Sequence, residues 1–215
     1  MQMKDIPMFT TENGVASLFL REIPYRKRAH IKLQATQNPG ELLQECVDFC
    51  RACGAEWIDA AGHPYLEEYP LNARIVAMSR GLEGMPQTDA AVFPVTPETV
   101  NMWLDIYNER MARVPNTAWM SNEDGRTLLK DGDGYFIHRN GELLGIGQAS
   151  EGKLHAVAGV KPGAGRDVVL ALASLLTGDT VSLWVADSNT RAVHLYEKLG
   201  FITTREVSRW YRVLG

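Results

Sequence analysis

Apolar and polar positions along the chain follow two periods. His30-Ile31-Lys32-Leu33-Gln34-Ala35 alternates, which predicts a half-buried strand. Val15-Ala16-Ser17-Leu18-Phe19-Leu20-Arg21 reads as its hairpin partner, with Pro24 and a basic cluster between them. A helix follows from Pro39 to Ala52, where Leu42, Leu43, Cys46, Val47, Cys50 and Cys53 share a face and Gly54 ends the run. Glu56–Ala60 is a short strand, His63-Pro64 opens a turn or short helix to Tyr69, and Arg74–Ser79 is a further strand. Gly81 to Thr88, with Gly81, Gly84 and Pro86, reads as a linker.

Ala91–Val95 begins a second run. Thr96-Pro97-Glu98 predicts a helix opening: a cap, a proline in the first turn, then an acid suited to the helix dipole. Val100, Trp103, Leu104, Tyr107 and Met111 line one side of that helix, and a second helix is expected from Asn122 to Leu129. Three strands follow at Gly134–His138, Leu143–Ala149 and Leu154–Val160, the first two joined by the tight-turn pair Asn140-Gly141. Arg166–Leu176 is apolar nearly all round, which predicts a buried helix. A strand at 180–186, a helix at 190–199 and strands near 201–206 and 208–213 complete the chain.

The stretch from Asn189 to Phe201 is the most specific. Asn189 caps, Ala192, Leu195, Tyr196 and Leu199 form an apolar stripe, Gly200 suits a left-handed helix end, and Phe201 opens a strand. This Asn-x-x-Ala-x-x-Leu-Tyr-x-x-Leu-Gly-Phe pattern resembles the last helix of the GNAT superfamily of N-acetyltransferases. The element order over about residues 90 to 215 resembles the same domain. The resemblance implies an α/β (α+β in some schemes) fold with a mixed, splayed sheet flanked by helices. The domain division read from the sequence is a smaller α+β unit at 1–85 and the GNAT-like domain at 90–215. The order of elements in the N-terminal part is similar to the second half of the same fold. It reads either as a degenerate partial repeat or as a chance arrangement of α+β elements.

The resemblance also implies acetyl-CoA as co-substrate, bound where two parallel strands part, and a primary amine as acceptor. Ala158 and Val160 on the strand, Lys161, Gly163, Ala164, Gly165 and Arg166 in the following loop, and Asn189 and Ala192 on the last helix are the implied cofactor-binding residues. The loop departs from the family's pattern, because several residues usual between Pro162 and Gly163, one of them basic, are missing. Tyr196 is the implied acid for the departing thiolate. His155, with a suitable intrinsic pKa, is the candidate base, and Glu151 is read as a solvated turn residue. Trp103, Tyr107, Trp119 and Met120 are candidates for lining the acceptor pocket.

Composition narrows the alternatives. The chain has 215 residues, 45% hydrophobic and 22% charged, enough for one large or two small cores. A net charge of −4 argues against a nucleic-acid partner, and the cluster of Arg21 with Arg26-Lys27-Arg28 is read as a hairpin turn. No apolar run is long enough to span a membrane, and Met1–Pro7 lacks the apolar core of a signal peptide, so a cytoplasmic protein is expected; the resemblance implies a small-molecule or peptide amine as its acceptor. Cys46, Cys50 and Cys53 fall at i, i+4 and i+7. That spacing reads as a buried stripe, and no metal site is expected. The competing functions are a non-catalytic acyl-CoA-binding or interaction module, and a metal or redox protein using the three cysteines.

Overall fold

The computed structural model describes residues 7–115 and 117–215. The opening segment Met1–Ile6, read above as part of a stretch lacking a leader core, lies outside the described residues. The chain forms two units. One runs up to Arg74 and includes Glu206–Gly215; the other is Ile75–Arg205. The expected boundary at 81–88 is therefore displaced. The chain changes unit inside two strands, β5 (Leu71–Gly81) and β11 (Ile202–Leu214). A Gly- and Pro-rich stretch marks a turn, but it does not say which sheet the preceding strand joins.

In the first unit, β1 (Met8–Thr11) and β2 (Gly14–Phe19) form a hairpin that the alternation had not revealed. A single turn, α1 (Ile23–Arg26), ends at Lys27 in the left-handed region and leads to β3 (Arg28–Thr36), antiparallel to β2. The basic cluster is thus the hairpin connection, as expected. Asn38 accepts from the Glu41 N–H and starts α2 (Pro39–Ala52), with Pro39 where a missing N–H costs nothing. α2 buries Leu42, Leu43, Cys46 and Cys50 against Ala29, Ile31, Ile58 and Ala60. Cys53 departs from the expected stripe: it sits at the helix end and is exposed. β4 (Trp57–Ala61) runs parallel to β3 over five consecutive rungs, from Arg28↔Trp57 to Lys32↔Ala61, and the C-terminal part of β11 lies antiparallel on β4.

On the sheet face opposite α2, three polar side chains stand on adjacent strands. His30 opposes Asp59, and Asp59 opposes Arg212. Arg212 Nε donates to Asp59 Oδ1 at 2.6 Å and its Nη2 donates to Asn72 Oδ1 at 3.1 Å. His30 Nε2 lies 3.9 Å from Asp59 Oδ2, and both atoms are buried without a hydrogen bond. Desolvation pushes the His30 pKa down to about 4, against the pull of Asp59 and with Arg28, Arg212 and Arg26 adding to it. His30 is therefore neutral near pH 7, and its closeness to Asp59 is not an ion pair there.

The second unit has the strand order β5-β10-β9-β8-β7-β6. β6 (Ala91–Pro94) leads to α3 (Val100–Met111) and α4 (Asn122–Asp131). The expected opening at Thr96 is a turn, because Thr99 and Val100 both donate to the Thr96 carbonyl and the helix begins at Val100. Ser121 and Asp124 form a reciprocal capping box at the start of α4. β7 (Gly134–Arg139), β8 (Glu142–Ser150) and β9 (Lys153–Gly159) form a meander with tight turns at Asn140-Gly141 and Glu151-Gly152, all four residues at positive φ. α5 (Gly165–Ala173) then crosses to β10 (Thr180–Ala186), and α6 (Thr190–Lys198) leads into β11, one strand where two were expected.

Two layers cover this sheet. α5 is buried from Val168 to Ala173 and packs with Met78, Leu183 and Phe201. Trp103, Leu104 and Leu128 of α3 and α4 pack with Phe136, Ile146 and Ala158 on the other face. Each fully buried Leu or Val contributes about 1.5–3 kcal/mol relative to exposure. α5 sits close because β8 carries glycine under it: a Cβ on Gly145 would lie 2.4 Å from the Ala158 carbonyl oxygen and 2.6 Å from a Val168 methyl. No helix among the described residues is long and apolar enough to cross a membrane.

The buried His30 makes stability fall in acid. Its folded pKa is below that of the unfolded chain, so the unfolded chain binds the extra proton first as pH drops below 6.5. Between pH 6.5 and 4 this one residue removes about 3 kcal/mol from the stability it contributes at neutral pH. Urea unfolding of the wild type and His30→Gln across that range measures it. The wild type loses more than the variant; parallel curves would contradict the assignment.

Candidate functional site

β9 and β10 are the parallel pair, and their ladder is short. It holds only at Ser182↔Lys153 and Leu183↔Leu154. Beyond these rungs β9 continues to Gly159 and β10 to Ala186, so the strands part toward their C-terminal ends. Backbone polar groups alternate along a strand. The Val160 N–H donates to the Leu144 carbonyl at 2.9 Å, and the Ala158 carbonyl lies against Gly145. The backbone groups of Ala158 and Val160 therefore face β8. The groups that face the gap are those of Val157 and Gly159, one position from the strand residues expected to meet a cofactor.

The gap closes at one end on two helix starts. A five-residue connection, 160–164, takes β9 into α5, with Gly163 at φ +82°. Ala164 is the N-cap and brings no side-chain acceptor, so the first-turn N–H groups of Gly165, Arg166 and Asp167 receive no cap. β10 leads through Asn189 into α6, where Asn189 Oδ1 accepts from the Ala192 N–H at 3.3 Å. Asn189 and Ala192 were both expected to meet the cofactor. Here the Asn189 side chain caps the Ala192 N–H at the start of the helix. Two positive helix ends thus stand outside the carboxyl ends of parting parallel strands, the arrangement in which open α/β sheets hold anionic ligands.

Three basic side chains surround the connection. Arg166 is half exposed with Nη1 3.8 Å from the Asp167 carboxylate. Lys161 Nζ lies 2.6 Å from Glu142, so the expected phosphate lysine is engaged with an acid in this state, although both ends of that pair are exposed. Arg110 of α3 donates to the Val160 carbonyl at 3.3 Å. Nothing in the sequence marked Arg110, fifty positions away. The Asp167 carboxylate is held by Arg139 at 2.8 Å and Thr88 at 2.9 Å, which neutralises it at the helix start.

Tyr196 follows Leu195, whose methyl would be 2.9 Å from a Cβ on Gly165, so α6 rests on the start of α5. Its ring is buried beside Phe201, with centroids 5.8 Å apart. Desolvation pushes the phenol pKa up to about 12. The group is a protonated donor across the whole working range of pH.

His155 occupies a β-bulge. Gln148 opposes Ala156 and Ala149 opposes Leu154, which leaves His155 as the extra residue on β9. It is the first residue past the β9–β10 rungs. Its Nε2 lies 3.1 Å from Ser150 Oγ. Desolvation, then Lys153, lower its pKa below the usual histidine value, while Asp133 and the Ser150 backbone oppose them. Across the gap, Trp184 is exposed and carries Lys153 Nζ 3.5 Å above its ring. Glu151 lies in the turn, as expected.

The aromatic residues expected in an acceptor pocket divide. Trp103 is fully buried, donates to the Tyr135 carbonyl and stacks on Tyr107, so it is core. Met120 is pinned by buried Asn108, which bonds both its N–H and its carbonyl; Trp119, beside it, is half-buried. A shallow cavity of about 280 Å³ lies elsewhere, at the β6–β7 edge beside Phe93, His138 and Arg139. Arg139 is already held there by Asp89 and Asp167.

Solved structures that resemble this one share its fold at low identity. A GCN5-related N-acetyltransferase from Sphaerobacter thermophilus is 16% identical, with a TM-score of 0.56 over 94% of this chain and 78% of that one. A functionally unknown conserved protein from Staphylococcus epidermidis gives a TM-score of 0.62 at 10% identity over 97% and 93%. A tandem GNAT protein from the clavulanic acid biosynthesis pathway gives 0.50 at 11% over 93% and 78%. The model of the family described as FR47-like protein matches residues 159–211, which covers the connection, α5, β10, α6 and most of β11. No curated protein matches the chain at the level of sequence. The chain has the GNAT-superfamily fold, a mixed sheet with helices on its faces.

The cysteines test the competing metal or redox reading. Among the described residues no group of three or more His, Cys, Asp or Glu is placed to hold a metal. Burial pushes the Cys46 and Cys50 thiols up to about 12, whereas Cys53 is exposed. Titration with a thiol reagent at pH 8 therefore gives one fast thiol and two that react only on unfolding. Three fast thiols would contradict the buried stripe.

Proposed function

We propose that this chain is an acyltransferase that moves an acetyl group from acetyl-CoA to a primary amine. The observation that carries the reading is the two-rung ladder between β9 and β10, which leaves backbone groups of Val157 and Gly159 facing a gap that ends on the start of α5. Those groups suit the amides of an extended pantetheine arm. The uncapped first turn of α5, with Arg166 and Arg110 beside it, suits a pyrophosphate. In this reading the thioester lies between His155 and Tyr196.

His155 is neutral at pH 7 and accepts a proton from the amine as its nitrogen bonds to the acetyl carbon. The carbon–sulfur bond breaks, and Tyr196 gives its proton to the departing sulfur. The imidazolium releases its proton to solvent and the phenolate, being a strong base, regains one, so the net change is amide plus free thiol. Three free thiols suit a reducing compartment such as the cytoplasm. A second reading, an acyl-CoA-binding module without turnover, is favoured by the short connection and by the engagement of Lys161 with Glu142.

Tyr196→Phe keeps the ring and its contact with Phe201 and removes the donor. Melting temperature and acetyl-CoA affinity by calorimetry stay near wild type, and turnover falls ~10²-fold, the scale of a lost general acid. No binding at millimolar acetyl-CoA removes the enzyme reading. Binding without turnover on a panel of amines favours the module. A stable, binding-competent Phe variant with full activity shows that the acid is another group.

A further inference from the structure

Asp133 lies between α4 and β7, just after Gly132 closes the helix in the left-handed conformation. It is buried, and its Oδ2 accepts from Gln148 Nε2 at 2.9 Å and from Ser150 Oγ at 3.3 Å. Its Oδ1 is buried with no hydrogen bond, and the carboxylate has no ion-pair partner among the described residues. An unpartnered oxygen on a buried carboxylate is rare and asks for a reason. A neutral asparagine in its place would hold Gln148 and Ser150 without burying a charge. The charge matters only if something near it becomes positive.

The nearest group able to do so through this network is His155. Ser150 has one hydroxyl proton. Given to Asp133, it leaves the Ser150 oxygen as an acceptor toward His155 Nε2, 3.1 Å away. The ring must then carry its proton on Nε2, and Nδ1 keeps the lone pair. The bulge that makes His155 the extra residue of β9 turns the ring toward Ser150 across the Glu151-Gly152 turn.

We infer that Asp133 is a positioning residue: through Ser150 it fixes His155 in the Nε2–H form and leaves Nδ1 as the atom that takes the acceptor's proton. When Nδ1 is protonated, the imidazolium keeps its Nε2–H bond to Ser150, and the buried carboxylate behind Ser150 gains the positive charge it lacks at rest. The electrostatics are thus set before the reaction. Among the described residues, the charged groups acting on the ring are Lys153, which opposes protonation, and Asp133, which favours it. The inference rests on the acyltransferase reading for its chemical purpose, but its geometry can be tested without any substrate.

The test is ¹⁵N NMR of the histidine rings at pH 8 in wild type, Asp133→Asn and Ser150→Ala, with His155→Gln to assign the signal and thermal melts to confirm folding. The wild type shows His155 as Nε2–H, Ser150→Ala shifts toward a mixture with Nδ1–H, and Asp133→Asn, whose amide oxygen still accepts from Ser150, keeps the Nε2–H form but titrates at lower pH. With acetyl-CoA and an accepted amine, each variant loses ~10-fold in plateau rate, within the range of a misoriented base. The acid limb of Asp133→Asn moves to lower pH, because the charge that favoured protonation is gone. A wild-type ring that is Nδ1–H, a folded Ser150→Ala variant whose tautomer is unchanged, or a folded Asp133→Asn variant whose ring titration does not move overturns the proposal, even where transfer itself is observed. If the protein transfers no acetyl group, the tautomer arm still decides the positioning role, and only the acyltransferase reading falls.

Discussion

The parting of β9 and β10 after two rungs is the constraint from which the rest follows. A parallel ladder uses one backbone edge of each strand, and ending it early leaves N–H and C=O groups that must find water or a ligand. The first unit shows the alternative. It runs through a similar order, with a hairpin, a helix and a parallel strand, yet β3 and β4 stay paired for five rungs. His30, Asp59 and Arg212 fill the sheet face beside those rungs. The two parallel pairs thus differ in how far their backbone ladder runs, five rungs against two.

Around the open ladder each neighbouring feature has a packing reason as well as a chemical one. Gly145 lets α5 lie directly on β8, and Gly165 lets α6 lie on the start of α5. Both helix starts are thereby brought to the same end of the gap. The C-terminus of α6 is fixed by Gly200 at φ +84° and by Arg80, which donates to the Leu199 carbonyl. Tyr196, one turn earlier, takes its position from those contacts, and the same burial that packs its ring keeps its phenol protonated.

Much of this was legible in the residues. Local chemistry announces local structure: Asn189 and Gly200 bracket α6, Asn140-Gly141 makes the turn, and apolar residues on every side of α5 required burial. Other features depend on pairing, which a single sequence does not display. The bulge at His155 exists only relative to β8. Asp133 and Ser150 read separately as a turn residue and a strand end, seventeen positions apart, and become a pair only when β7 and β8 align. Ala158 and Val160 lie on the strand that borders the gap, but which backbone edge faces the gap follows from the register with β8. Trp103 had the spacing of a pocket residue and the surroundings of a core one. The crossing of the chain inside β5 and β11 was hidden for the same reason, since no turn or linker residue marks it.

The central claim is that the β9–β10 gap, with the start of α5, holds the acyl donor. Backbone amide NMR during titration with acetyl-CoA tests it most directly. The account predicts that the amides of Val157, Gly159, Gly163, Gly165 and Arg166 shift together in a saturable way, while those of Ile31 and Ala60 on the closed β3–β4 pair stay fixed. Shifts centred on Phe93 and Arg139 at the β6–β7 edge, or no shift at millimolar ligand, would contradict it.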